Sequence, residues 1–380
     1  MKLHEYQSKI IFSQRGIPIP KGRVALDSEE ARQICEELGG RVVVKAQVLV
    51  TGRGKAGGIC LARSPLEAEQ MAARILGMEI KGLPVRKVLI DEAVSITKEI
   101  YLGITFDRVE GKPLLIASGA GGLDIEELAL QAPEKITRIQ IDPLLGLRDF
   151  QAREIASWLD LPQEQTRQFM EIAQGLWQTY LANDALLAEL NPLVITSDGR
   201  LIALDCKMTV DDNALFRHPE LVEIRDLDSK APLEVEARKF GITYVQLSGN
   251  VCCVANGAGL GLATMDLVRF HGGEPASFLD IGGGASEEKI ATALRILVQE
   301  SAVRGVYINI FGGITRCDEI SRGILKAIQN LNTPIPIVVR MSGRNAEEGI
   351  ALLAGSGVVL AGDMDEGARK IVKMTMEAEG

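Results

Sequence analysis

Aromatic residues make up only 4% of this 380-residue chain. Proteins that bind single-stranded nucleic acid stack successive bases on aromatic rings, so that class is disfavoured. The net charge of −9 points the same way, because neutralising a phosphate backbone needs a cationic surplus. Histidine is scarcer still: His4, His218 and His271 are all there are, too far apart for a finger-type zinc site. None of the six cysteines (Cys35, Cys60, Cys206, Cys252, Cys253 and Cys317) forms a C-x-x-C pair, which leaves reduced, mostly buried thiols. No run of apolar residues is long enough to span a bilayer, and Met1-Lys2-Leu3-His4-Glu5-Tyr6 lacks an apolar leader core. A cytoplasmic protein with no membrane or nucleic-acid partner is expected. The 46% hydrophobic content is enough to bury at least one large core, and the length of 380 residues predicts about two or three domains.

What is present falls into two patterns. Leu3, Tyr6, Ile10 and Ile11 recur at helical spacing before Gly16. Val42–Val44 reads as a buried strand running into Lys45 and the loop Gly52-Arg53-Gly54-Lys55-Ala56-Gly57-Gly58. Ser64-Pro65 predicts a helix start, with Gly77 ending that helix. Further strands are expected at Val88–Ile90, Ile100–Phe106 and Leu114–Ser118, and mostly helix over residues 151–183, with a pause at Leu161-Pro162. Two apolar runs, from Leu186 to Ile195 and from Leu201 to Leu204, flank Ser197-Asp198-Gly199 and read as a hairpin. After the polar passage Arg225–Lys239, the pattern becomes strand–helix alternation. Its strands are expected at Val251–Ala255, Ala276–Leu279, Gly305–Ile310, Ile335–Val339 and Val358–Leu360. Such alternation argues for a doubly wound parallel sheet, so the boundary is placed at 238/239.

Three elements can carry chemistry. The glycine loop after Lys45 lets backbone N–H groups approach phosphate, with Lys45, Arg53 and Lys55 as cations. It lacks P-loop spacing, and a plain turn with solvated basic residues is the competing reading. Second, Glu189-Leu190-Asn191-Pro192-Leu193 and Asp205 lie on facing hairpin strands, so an amide oxygen and a carboxylate could approach one another, a pair that suits Mg²⁺. Here a turn initiator and a strand-end cap explain the same residues. Third, glycine loops follow three C-terminal strands, at Asn256–Gly261, Asp280–Ala285 and Asn309–Thr315. In a parallel sheet these share the edge where ligands bind. A nicotinamide-binding reading competes, with Asp280 near the position of a ribose-binding acid. The dinucleotide fingerprint fails, though, at Leu262, where glycine or alanine is needed.

Taken in order, these motifs resemble the beta subunit of succinyl-CoA synthetase. The resemblance rests on Leu3-His4-Glu5-Tyr6-Gln7, the loop Gly52–Gly58, Glu189–Leu193, Asp212–Arg217, Asn256–Leu260, Gly272–Ala276 with Asp280–Ala285, and Asn309–Ile314. It implies α/β and α+β architecture: an ATP-grasp domain over residues 1–238, then a flavodoxin-like CoA-ligase domain with a doubly wound parallel sheet over residues 239–380. It implies the reversible reaction of succinate, CoA and ATP giving succinyl-CoA, ADP and phosphate. It also implies a separate alpha subunit, in a heterodimer or heterotetramer, whose histidine carries the phosphoryl group. By position, Lys45, Gly52, Arg53 and Gly54 would hold the triphosphate, and Arg53 would stabilise charge during transfer. Asp91, Val94 and Glu99 would surround the base, Asn191 and Asp205 would bind Mg²⁺, and Glu189 would orient the incoming histidine. Asn256, Gly313, Ile314 and Thr315 would face the site shared with alpha. Departures occur at Leu49-Val50-Thr51, where the family commonly has a histidine and small residues, at the short Gly77–Lys87 segment, and at Asp91, where glutamate is usual. Pro20 favours ADP over GDP. A malate-using ligase, a nucleotide-sensing module without turnover and a nicotinamide oxidoreductase are the alternatives.

Overall fold

The computed structural model describes residues 1–226, 232–299, 302–329 and 335–377. Its contacts divide into two compact units, Met1–Ser229 and Lys230–Gly380. The passage expected to separate domains, Arg225–Lys239, includes residues 227–231, which lie outside the described residues.

The first unit begins with α1 (Glu5–Ser13), β1 (Gly22–Ala25), α2 (Ser28–Glu37), β2 (Val42–Ala46), β3 (Ile59–Ala62) and α3 (Pro65–Leu76). A short hairpin, β4 (Glu79–Ile80) with β5 (Leu83–Pro84), precedes β6 (Val88–Glu92). Helix α3 starts where its punctuation says it should: Ser64 Oγ accepts from Glu67 N–H, Pro65 takes the first turn and Gly77 caps the end. The strands pair antiparallel in the order β1-β6-β2-β3. Val42, Val44, Val88 and Ile90 pack against Ala31, Ile34, Ala68 and Ile75 of α2 and α3.

A second sheet follows, built from β7 (Ile96–Asp107), β8 (Lys112–Ser118), β9 (Ile136–Gln140), β10 (Ala185–Thr196), β11 (Leu201–Ala203) and β12 (Cys206–Val210). Between β8 and β10 run α4 (Ile125–Gln131), α5 (Asp149–Trp158) and α6 (Gln163–Ala182), and α7 (Pro219–Glu223) comes later. The order is β11-β10-β7-β8-β9, with β12 also on β10. Ile100, Leu102, Ile104 and Leu115 form its core with Ile155, Phe169, Ile172 and Leu176. The apolar run expected before the turn is one 12-residue strand, β10, and the run after it is β11. Its ladder shifts between Leu190 and Leu193. Pro192 has no N–H for a ladder, so the irregularity sits where the sequence can tolerate it.

The second unit contains α8 (Pro232–Lys239), β13 (Thr243–Gln246), β14 (Val251–Ala255), α9 (Ala258–Phe270), β15 (Pro275–Asp280), α10 (Glu287–Leu297) and β16 (Gly305–Gly312). It continues through α11 (Cys317–Ile328), β17 (Ile337–Gly343), α12 (Ala346–Leu353), β18 (Val359–Ala361) and α13 (Met364–Glu377). The order is β13-β15-β14-β16-β17-β18, and every pair is parallel except β13 with β15. The parallel strands thus run second, first, third, fourth, fifth, the flavodoxin-like doubly wound order. Val268 of α9 and Ile371 of α13 pack on one face, while Leu294 of α10, Ile324 of α11 and Leu353 of α12 cover the other. The expectation of a parallel sheet needs one correction, the antiparallel edge strand β13. Its residues Thr243, Val245 and Gln246 are exposed, so it carries no apolar run.

Candidate functional site

Helix α1 turns its charged side inward. Glu5 and Lys9 are buried and Ile10 is 53% exposed, while Leu3 is buried and Ile11 packs on the core as the apolar spacing predicts. Lys45, at the end of β2, donates to Glu5 Oε1 at 2.8 Å and to the Leu204 carbonyl at 2.7 Å, and its Nζ lies 2.9 Å from Asp91 Oδ2. Lys9 meets the same two carboxylates, Glu5 Oε1 at 2.9 Å and Asp91 Oδ2. Arg53 extends the cluster: Nη1 donates to Glu5 Oε2 at 2.7 Å and to the Ala46 carbonyl, and Nη2 donates to Asp205 Oδ2 at 2.7 Å. Three cations and three carboxylates therefore interlock where α1, β2, β6, the glycine loop and the β11–β12 junction meet. Gly22 makes room for this, since a Cβ there would lie 2.2 Å from Asp91 Oδ1.

Buried charges persist only when paired and hydrogen-bonded, and here the pairing governs protonation. Burial alone would lower the Lys45 ammonium, but Glu5, Asp91 and Asp205 outweigh it and hold the group above its ordinary value. Burial likewise opposes the Arg53 charge, and Asp205 and Glu5 overcome it. Glu5 is the mirror case: burial would raise it, while Lys45, Lys9 and Arg53 pull it well below the usual carboxylate range.

The glycine loop is a hydrogen-bonded turn, with Ala56, Gly57 and Gly58 N–H donating to the Gly52, Gly54 and Arg53 carbonyls. Gly52 has a φ of 85°, which favours glycine. Gly52, Gly54 and Lys55 are exposed, whereas the Arg53 side chain turns inward. Asp91 lies in β6 with its carboxylate on Lys9 and Lys45; Val94 follows in the connection to β7, and Glu99 stands exposed on β7.

Glu189 and Asn191 sit on β10 opposite β12. Burial raises the Glu189 carboxyl; Lys207, 3.7 Å away, and Asn191 oppose that rise, and Asp205 and Glu126 add to it. Asn191 N–H donates to the Asp205 carbonyl at 3.0 Å, so the two residues do face each other. Their side chains are engaged elsewhere. Asn191 Oδ1 accepts from Gly122 N–H at 2.7 Å and Nδ2 donates to the Leu123 carbonyl at 2.9 Å, while Asp205 holds Arg53. Among the described residues no group of three or more His, Cys, Asp or Glu is arranged for a metal. A magnesium ion asks for less, because it keeps several waters and phosphate oxygens beside one or two protein oxygens. Asn191 Oδ1 and the partly exposed Asp205 carboxylate, 31% accessible, fit that donor chemistry.

In the second unit, Asn256 follows β14 at the point where the strand order reverses, the usual crevice of an open α/β sheet. Its Nδ2 donates to the Phe311 carbonyl and to Thr315 Oγ1, and its Oδ1 accepts from Phe311 N–H at 2.8 Å. Gly284 N–H also reaches Thr315 Oγ1, at 3.0 Å. The three glycine loops are thus gathered on one edge, with Gly313 and Ile314 exposed beside them. Asp280 Oδ1 accepts from Gly282 N–H at the start of its loop. Gly261 lets α9 approach Phe278, which a Cβ would meet at 2.5 Å. Each histidine has a carboxylate partner: His4 with Asp226, His218 with Asp184, His271 with Asp365. All six cysteines are free thiols.

Sequence reading passed over Glu5 and Lys9 as site residues. Their i, i+4 spacing on α1 was the available signal. Gly122 and Leu123, which hold Asn191, gave none beyond a glycine loop.

An antiparallel sheet carrying a cationic glycine loop, a second sheet with facing carboxylate and amide, and a doubly wound sheet with three glycine loops define a class: an ATP-grasp domain followed by a CoA-ligase domain. The ATP-grasp domain family matches residues 2–195 and the CoA-ligase family residues 254–372. The chain is 51% identical over 374 residues to the ADP-forming succinate–CoA ligase subunit beta of Roseiflexus sp. (strain RS-1), covering 98% of this chain and 99% of that one. It is 49% identical to the subunit of the same name from Aquifex aeolicus (strain VF5), covering 98% and 99%. The chain belongs to the beta subunits of ADP-forming succinate–CoA ligase. Among solved structures, ATP citrate lyase from Methanothrix soehngenii in complex with citrate and coenzyme A shares the fold, with a TM-score of 0.74 and 19% identity over 99% of each chain. No helix among the described residues is long and apolar enough to cross a membrane.

Proposed function

We propose that this chain, with a separate alpha subunit, catalyses the reversible conversion of succinate, CoA and ATP into succinyl-CoA, ADP and phosphate. The observation that carries the proposal is the cluster of Lys45 and Arg53 beside the facing pair Asn191 and Asp205. Fixed cations lower the cost of charge developing on a transferring phosphoryl group without reorganising as it moves. Gly52 and Gly54 offer exposed backbone to the phosphates, and Asp91, Val94 and Glu99 border the space assigned to the base. Bound at Asn191 and Asp205, Mg²⁺ would neutralise phosphate charge.

Glu189 then acts as the orienting group. Its raised carboxyl, two residues before Asn191, can share a proton with an incoming imidazole and fix its direction. That imidazole comes from the alpha subunit in this reading: His4, His218 and His271 of this chain are bonded to Asp226, Asp184 and Asp365 rather than to Glu189. The phosphoryl group passes from ATP to that histidine and then to succinate, and CoA displaces phosphate from the acyl phosphate. Asn256 with Gly313, Ile314 and Thr315 would receive the acid or phosphate at the sheet edge. The domains are assigned to residues 1–238 and 239–380, the assembly to a heterodimer or heterotetramer, and the location to the cytoplasm.

The test is thioester formation by this chain co-purified with its alpha partner, supplying Mg-ATP or Mg-GTP, CoA, and succinate or malate in parallel. Product that requires both chains and forms fastest with ATP and succinate is expected. Faster turnover with malate would reassign the acid. No thioester from any combination, with Mg-ATP still bound, would make the chain a sensing module.

A further inference from the structure

Among the described residues, Glu5 is the one carboxylate that pairs with both cations assigned to the triphosphate. Oε1 accepts from Lys45 and Oε2 from Arg53, at 2.8 and 2.7 Å. Oε1 also meets Lys9, four residues on in the same helix. Lys9 and Lys45 each bridge Glu5 and Asp91, so the four side chains close a ring of alternating charge across α1, β2 and β6. Gln47 braces it from β2's end, its amide oxygen accepting from Tyr6 N–H at 3.2 Å. Lys45 has three N–H donors, and protein oxygens face it on three sides: Glu5, Asp91 and the Leu204 carbonyl. Its ammonium therefore has a fixed direction.

We infer that Glu5 is a positioning residue for nucleotide binding, holding Lys45 and Arg53 at a fixed spacing as one phosphate-receiving pair, with Lys9 and Asp91 closing the ring behind it. The inference rests on the assignment of Lys45 and Arg53 to the triphosphate. A phosphate oxygen arriving at this pair must share or replace one of their acceptors. Glu5 grips both, so the cations stay in register while that exchange occurs. Without it, Arg53 keeps Asp205 and the Ala46 carbonyl, Lys45 keeps Asp91 and the Leu204 carbonyl, and no single side chain grips both cations. A carboxylate taken out of water among three cations is a costly way merely to anchor a helix.

The experiment compares Glu5→Gln, Glu5→Asp and Lys45→Met with the unaltered chain, each assembled with the alpha subunit. Glutamine keeps the shape and loses the charge. Aspartate keeps the charge but is one methylene too short to reach both cations. Steady-state KM values are measured for ADP, CoA and succinate, with Mg-ADP affinity by calorimetry. Glu5→Gln is expected to raise the Kd and KM for ADP by about ten- to a hundredfold, the loss of charge-assisted hydrogen bonds to two cations. Glu5→Asp is expected to fall between, and KM for CoA and succinate to stay within about twofold of the unaltered value in both. A purely structural role would instead lower the amount of active enzyme and leave every KM in place, and that result overturns the inference. So does failure of both Glu5 variants to assemble, which would assign Glu5 to the fold. If Lys45→Met binds Mg-ADP normally, the phosphate assignment itself is wrong. If it loses binding while folded Glu5→Gln does not, only the positioning role falls.

Discussion

In the first unit, Lys45 and Arg53 are held by carboxylates reaching in from α1, β6 and the β11–β12 junction. In the second, Asn256 and Thr315 hold three loops through neutral amides, carbonyls and one hydroxyl. Under the proposed function, the contrast follows from what each region would grip. A strongly charged phosphate chain calls for cations that are already charged and already oriented, and buried cations need counter-charges to exist at all. Backbone amides at the ends of parallel strands receive a small anion without any ionised side chain, because strand and helix geometry already aims them. The ionic region should therefore fail abruptly when one member is removed, and the neutral one gradually.

The largest expected effect is catalytic. Glu189→Gln should slow phosphoryl transfer to the partner histidine by about 10²–10⁴-fold, the usual worth of a positioned acid–base group, with Mg-ADP affinity unchanged. Rapid-quench measurement of labelled phosphate checks it, and a parallel loss of affinity would place Glu189 in the nucleotide cradle instead. Next comes Lys45→Met, which leaves Glu5 and Asp91 under-neutralised and should destabilise the first unit by about 3–5 kcal/mol. Hydrogen exchange resolved by unit is the measurement, because a chain of two units need not unfold in one step.

Thr315→Val removes the hydroxyl that accepts from Asn256 Nδ2 and Gly284 N–H and should cost the second unit about 1–3 kcal/mol. Equal losses for Lys45→Met and Thr315→Val would erase the distinction between the regions. Acidification separates them by another route. A carboxyl held below its ordinary value stabilises the fold above that value and stops doing so as pH falls through the lowered one. The Glu5 contribution should therefore be intact above its ordinary 4.5 and fade at more acid pH. The bonds of Asn256 and Thr315 do not titrate, so protection around the second unit's loops should outlast that of the cradle. The smallest effects come from glycines. A Cβ on Gly121 would lie 2.6 Å from Ile100 N, while one on Gly313 meets nothing within 4 Å. Gly121→Ala should cost about 1–3 kcal/mol, and Gly313→Ala less than about 0.5 kcal/mol, both by denaturant unfolding.

These regions also differ in how far they could be read in advance. The apolar β-branched runs Val42–Val44 and Val251–Ala255 announce buried strands, and strand–helix alternation brings Asn256 and Thr315 to one edge by topology. Edge and half-polar strands escape that reading. Exposed Thr243 and Gln246 conceal β13, and Lys207 and Thr209 interrupt the apolar pattern of β12. The ring around Glu5 was hidden for a different reason. Apolar spacing on α1 pointed to Leu3, Tyr6, Ile10 and Ile11, yet the helix buries Glu5 and Lys9 because their partners arrive from strands far along the chain. Periodicity reports which face is oily, and here charged residues are buried beside that face.

The grip of Asp205 on Arg53 joins residues 152 positions apart, and that distance has a meaning in time. A ribosome adding about 5–20 residues per second makes Arg53 roughly 8–30 s before its partner exists. During that interval the cations of the growing chain have only Glu5 and Asp91 to answer them. A chain halted before Asp205 carries the glycine loop without the contact that fixes it. The proposed nucleotide site is thus completed late in the synthesis of its own unit, and truncated products should be poor competitors for ATP.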